Sequence, residues 1–135
     1  MVKYVKYLDI NKEYYILVPL NKKALEDLYR YKIYKKHCQE DECIIKDTFK
    51  AMIFHEDTYY EMESMLFDYI NVECDIIINM YEEAIVENNQ LEKVLLLTNS
   101  LLESSKDEKF IKFATEFKSL VELAIKKKTV IGFYF

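Results

Sequence analysis

One glycine, one proline and no tryptophan occur in 135 residues, alongside only two histidines and three cysteines. With Gly132 as the sole glycine, no Gly-rich loop exists to wrap a phosphate, which excludes the P-loop and the dinucleotide fingerprint. His37 and His55 do not form a His-Glu-x-x-His helix, a nucleophile elbow is missing, and the Glu-x-x-His pairs of a di-iron bundle are absent. Any acid–base chemistry would fall to carboxylates or tyrosines. So few turn formers imply few, long elements dominated by helix.

An odd number of cysteines does not suit a disulfide framework and fits a reducing compartment, so a cytoplasmic protein is expected. Cys38 and Cys43 are separated by four residues and His37 adjoins them, but no second close pair completes a zinc site. With His55 and Cys74 lying further along, free thiols are expected, with no metal and no cofactor. The start, Met1 to Tyr4, leads into alternating polar and apolar residues instead of an uninterrupted apolar run, so no signal peptide is expected. No apolar stretch approaches the roughly 20 residues that cross a bilayer, and no membrane partner is expected.

Hydrophobic residues make up 51% of the chain, enough to fill the core of a single domain over residues 1 to 135. The net charge is −5, unevenly spread. Residues 1 to 36 hold nine Lys or Arg against four acids, residues 37 to 103 three against sixteen, and residues 104 to 135 seven against four. Basic outer elements are expected to cover part of an acidic middle, and whatever acid stays uncovered is a surface for a basic partner.

The middle is organised by a stretch from Thr58 to about Val86 that reads as one long central helix. Thr58 and Glu61 have the spacing of a capping box, and no Gly or Pro follows before Asn88-Asn89. Glu61, Asp68, Asp75 and Glu82 recur every seventh residue on one column, while Leu66, Ile70, Ile77, Met80 and Phe67 fill the rest. A helix apolar around most of its girth is packed by several neighbours, with the acidic seam left to solvent. Glu73 shares a column with Leu66 and Met80. It is read either as the buried acid or base of a carboxylate-based enzyme, or as a residue that is ion-paired or rotated to water, with Glu63 a weaker version of the same case.

Tyr14 to Leu20 reads as a strand, with Pro19 marking its end or a sheet edge, and Val2 to Leu8 as its hairpin partner across a loop from Asp9 to Glu13. Thr129 to Phe135 supplies a further strand after a helix that runs out in Lys126, Lys127 and Lys128. The remaining patterns are helical. One is capped by Asn21, carrying Leu25, Leu28, Tyr29 and Ile33 among lysines, and a shorter one contains Ile44, Ile45, Phe49, Met52 and Ile53. Another opens at Asn89 with Glu92, and the last is boxed by Ser105 and Glu108, with Phe110, Phe113, Ala114, Phe117, Leu120, Val121 and Ala124 at helical spacing. The expected fold is α+β and predominantly helical: about five helices around a long central one, with a small antiparallel sheet made from the N-terminal hairpin and the C-terminal strand.

The functional expectation is a non-enzymatic protein-binding module, most concretely an inhibitor or immunity protein that neutralises a basic partner such as a toxin or nuclease. Its partner-binding residues are Glu61, Asp68, Asp75 and Glu82, with Tyr60 and Tyr81 on the margins as aromatic anchors. A helical scaffold or regulator using an apolar groove, or a homodimer built through the aromatic end Phe133 to Phe135, is the second expectation. The basic first helix, with Tyr29, Tyr31 and Tyr34 among its lysines, has the composition of a nucleic-acid surface but is better explained as a counter-charge layer, and nucleic acid is not the expected partner.

Overall fold

The computed structural model describes residues 13–31, 49–80 and 82–135. The fold is α+β, with a four-stranded antiparallel sheet between helices. Strand β1 (Glu13–Pro19) leads to helix α1 (Lys22–Tyr31), and strand β2 (Phe49–His55) runs straight into helix α2. Helix α2 has three parts: α-helical Glu56–Met62, a π-helical turn Glu63–Phe67, and α-helical Asp68–Cys74. Strand β3 (Ala84–Val86), helix α3 (Leu91–Ser104), helix α4 (Glu108–Lys127) and strand β4 (Ile131–Tyr134) complete the described chain.

The sheet order is β2-β1-β4-β3. In this register Ile16 faces Met52 on one side and Phe133 on the other. Period-two alternation divides the sheet's side chains between two cores. Tyr14, Ile16, Val18, Met52, Phe54, Ile131 and Phe133 pack with α2, α3 and α4. Tyr15, Leu17, Phe49, Val130 and Tyr134 pack with Ala24 and Leu28 of α1. Covered on both faces and paired on both edges, β1 needs the unbroken apolar run Tyr14 to Val18 that it has.

Several sequence expectations hold. The C-terminal strand forms and pairs with β1. Asn21 caps α1, its Oδ1 accepting the Ala24 N–H at 2.8 Å. All seven apolar residues assigned to the last helix are buried in α4. That helix ends with Lys126 and Lys127 in its last turn and Lys128 in the left-handed conformation, φ 57°. A glycine usually takes such a position, and this chain spends its only one elsewhere.

Others are corrected. The long central helix stops at Cys74, because Asp75 turns left-handed at φ 54°. Beyond it the chain folds back: the Asn71 side chain accepts the Ile78 N–H at 2.7 Å, clamping the returning segment to the helix. Ala84-Ile85-Val86 then adds to the sheet edge beside β4, so burial against a strand overrides the helical pattern. The helix also starts earlier than Thr58, at Glu56 directly after β2. Phe49, Met52 and Ile53 belong to a strand and not to a helix; their spacing suits both, and pairing along the whole of β1 decides. Helix α4 is capped by Asp107, whose Oδ1 accepts the Phe110 N–H at 2.9 Å, and not by Ser105. The 3-10 turn Asn88–Gln90, without a side-chain cap, opens α3 in place of the cap expected at Asn89. Residues Val2 to Leu8, the expected hairpin partner, lie outside the described residues; β1 takes β2 and β4 as its neighbours.

Candidate protein-binding face on helix α2

The inner side of α2 is anchored by aromatic packing. Tyr59, Met62, Leu66, Phe67 and Ile70 are buried against the sheet. The Tyr59 ring lies 5.5 Å from Tyr14 and 5.2 Å from Phe135, and Phe67 lies 6.0 Å from Phe113 of α4. Edge-to-face pairs of this kind add about 0.5–1.5 kcal/mol each beyond area burial. The outer side of α2 is therefore presented on a fixed platform.

Two phenols meet carboxylates at the inner margin. The Tyr59 hydroxyl donates to Glu63 Oε2 at 2.9 Å, and the Tyr14 hydroxyl to Glu56 Oε2 at 3.3 Å. Burial, followed by the hydrogen bond and negative charge of Glu63, pushes the Tyr59 phenol well above its ordinary value. Asp68 contributes to the same negative field.

On the outer side the expected seam is only partly assembled. The π turn inserts one extra residue into the helical ladder, with the Asp68 N–H reaching back to the Glu63 carbonyl. Residues before and after it are thereby rotated by about 100°, one residue's worth, so Glu61 and Asp68 do not share a column. Glu61 instead faces α4, where Lys109 Nζ lies 3.4 Å from its Oε2. Asp68 and Asp75 are exposed on one surface, and no Lys or Arg among the described residues pairs with either. Glu82 is exposed too, but it has left the helix; its N–H bonds Asn79 Oδ1 at 3.2 Å in the returning loop. Tyr60 is 53% exposed, with its hydroxyl 3.5 Å from Met80 Sδ. Tyr81 lies outside the described residues.

Glu73 does not enter the packing. It is exposed, and its backbone carbonyl accepts a hydrogen bond from Lys93 Nζ of α3 at 3.3 Å. Phe133 and Phe135 are buried, so the aromatic end expected to serve a homodimer is committed to the core. Among the described residues no group of three His, Cys, Asp or Glu could hold a metal ion; His37, Cys38 and Cys43 lie outside them. Cys74 is buried, and burial pushes its thiol upward. Among the described residues no helix is long and apolar enough to cross a membrane.

Two exposed apolar residues on the outer side of α2 were missed by the sequence reading, and Ile77, expected in the packed part of the helix, is 62% exposed beyond the helix end. Val72 is 83% exposed and Tyr69 about half exposed, both on the outer side of α2. Tyr69 falls on an apolar heptad column, and only the π turn rotates it outward. Val72 carried a signal that was available: it sits between Asp68 and Asp75 at i+4 and i−3, the spacing of neighbours on one helix surface.

The position of α1 bears on the electrostatics. Its basic residues were expected to cover the acidic middle; Lys32, Lys35 and Lys36 lie outside the described residues, and α1 itself, with Lys22 and Lys23, packs on the sheet face opposite to α2. Lys23 pairs within its own helix, 3.9 Å from Asp27. Where α1 meets an acid of the middle segment the contact is uncharged on its own side, the Tyr29 hydroxyl donating to Glu87 Oε2 at 2.7 Å.

No family model, curated protein or solved structure matches the chain.

Proposed function

We propose that the chain is a non-enzymatic protein-binding module whose acidic α2 face captures a basic partner, most concretely an inhibitor or immunity protein that neutralises a cationic toxin or nuclease. The observation that carries this reading is the sheet lying between α1, with Lys22 and Lys23, and the acidic α2. Among the described residues, no lysine or arginine is paired with Asp68, Asp75 or Glu82, and all three are exposed. Acids in such an array steer a cationic protein and raise its association rate, and they can occupy the positions that phosphates take in a nuclease site.

The test is capture from a lysate of the native host on immobilised protein, comparing the wild type with the double variant Asp68→Lys/Asp75→Lys. Both residues are exposed, so circular dichroism of the variant should match the wild type. A basic protein retained by the wild type and lost by the double variant is the expected result. Retention that survives reversal of both charges removes the proposal.

A further inference from the structure

The outer face of α2 carries more than charge. Val72 has Asp68, Tyr69 and Asp75 as its helix-surface neighbours, at i−4, i−3 and i+3. Beside Tyr69, where α2 and α3 run alongside each other, a hollow of about 250 Å³ has an apolar lining of Met65, Tyr69, Leu101 and Phe110 and a polar lining of Ser64, Ser104, Ser105 and Asp107. Lys93 of α3 is engaged with the Glu73 carbonyl, and the exposed Lys106 lies between the lining residues Ser105 and Asp107. An apolar strip from Val72 through Tyr69 to the hollow is thus edged by Asp68 and Asp75. Apolar residues framed by charges of one sign give the arrangement of an interface centre and its rim.

We propose that this strip is a docking groove for a cationic amphipathic helix, an element with an aliphatic stripe edged by lysine or arginine. One aliphatic side chain of the partner enters the hollow beside Tyr69, its stripe lies over Val72, and its cations meet Asp68 and Asp75. Charge complementarity selects this occupant over a neutral or acidic helix, and the exposed apolar centre selects it over an extended polycation. The inference rests on the reading of the α2 face as a site for a basic partner and adds the shape and chemistry of what it holds.

Two probes separate the contributions: a helical peptide of Lys and Leu patterned on one face, and an oligolysine of equal charge, each titrated calorimetrically into the intact protein. The amphipathic peptide should bind at least about tenfold more tightly than oligolysine, since burial of even one aliphatic side chain is worth about that factor. Val72→Ser/Tyr69→Ser should remove that advantage and leave oligolysine binding within about twofold, while Asp68→Lys/Asp75→Lys should weaken both probes. Equal affinity for the two peptides overturns the groove. So does amphipathic binding that survives Val72→Ser/Tyr69→Ser but is lost on charge reversal; in that case the acidic reading stands. Indifference of both probes to charge reversal, or no binding of either, overturns the groove and the acidic reading together.

Discussion

Tyr59 and Glu63 are joined across the turn at which α2 changes from α to π geometry, phenol to carboxylate at 2.9 Å. Tyr59 is 2% exposed and belongs to the aromatic core, whereas Glu63 is half-buried. One hydrogen bond therefore ties the core to the segment that rotates the outer face. Tyr59→Phe keeps the ring and removes the donor. Water can serve the half-buried carboxylate in its place, so the expected loss is about 1 kcal/mol, read from the urea midpoint. A loss much larger than this would mean that the bond maintains the π turn itself.

Alkaline pH should weaken the fold through its tyrosines. Tyr29 is pushed up from 10.0 to about 12 by partial burial first, then by its hydrogen bond to Glu87 and the charge of that carboxylate. Tyr59 moves in the same direction, by burial and then by Glu63. The folded chain holds these protons more tightly than the unfolded chain does. Their contribution is complete below pH 10.0 and is lost as pH rises from there through about 12 for Tyr29. Stability at pH ~11 should fall below that at pH ~9, and the difference should shrink in Tyr29→Phe/Tyr59→Phe. Phenolate absorbance should show two fewer late-titrating tyrosines in the double variant than in the wild type.

The only glycine serves close approach and not a special backbone angle, since Gly132 has no positive φ. A Cβ there would lie 2.7 Å from Cε2 of Tyr134 and 3.0 Å from its hydroxyl oxygen. Tyr134 is buried against the α1 side of the sheet and cannot swing clear without disturbing that core. Gly132→Ala should cost roughly 1–3 kcal/mol, the range for overpacking. Denaturation of Gly132→Ala beside Gly132→Ala/Tyr134→Leu checks the cause: the smaller side chain should make the added methyl less harmful.

Where local pattern and tertiary environment agree, the sequence was a sufficient guide. Helix α4 has a buried face at helical spacing, a clear end and no rival pairing, and its seven assigned core residues are the buried ones. The continuous apolar run of β1 and the aromatic, β-branched end of the chain identified the two middle strands of the sheet. Phe49 to Ile53 was misread because a short apolar run fits either period. Of the six residues expected at the binding face, Asp68 and Asp75 came out together and exposed. Glu61 turned to Lys109, Glu82 moved into a loop and Tyr60 stayed on the margin.

Composition and periodicity alone determined the α+β class, the acidic middle of the chain, the last helix and the strand that follows it, because each depends on contacts between near neighbours or on simple counts of charge and apolar area. Tertiary structure alone decided where α2 ends, how its π turn rotates Tyr69 and Asp68, and that the sheet separates Lys22 and Lys23 of α1 from the acids of α2. The left-handed turn at Asp75, the clamp from Asn71 and the pairing of Ala84-Ile85-Val86 with β4 are favourable only when distant segments are already in place. A heptad written along one helix cannot contain that information, since it assumes an unbroken ladder that long-range pairing is free to interrupt.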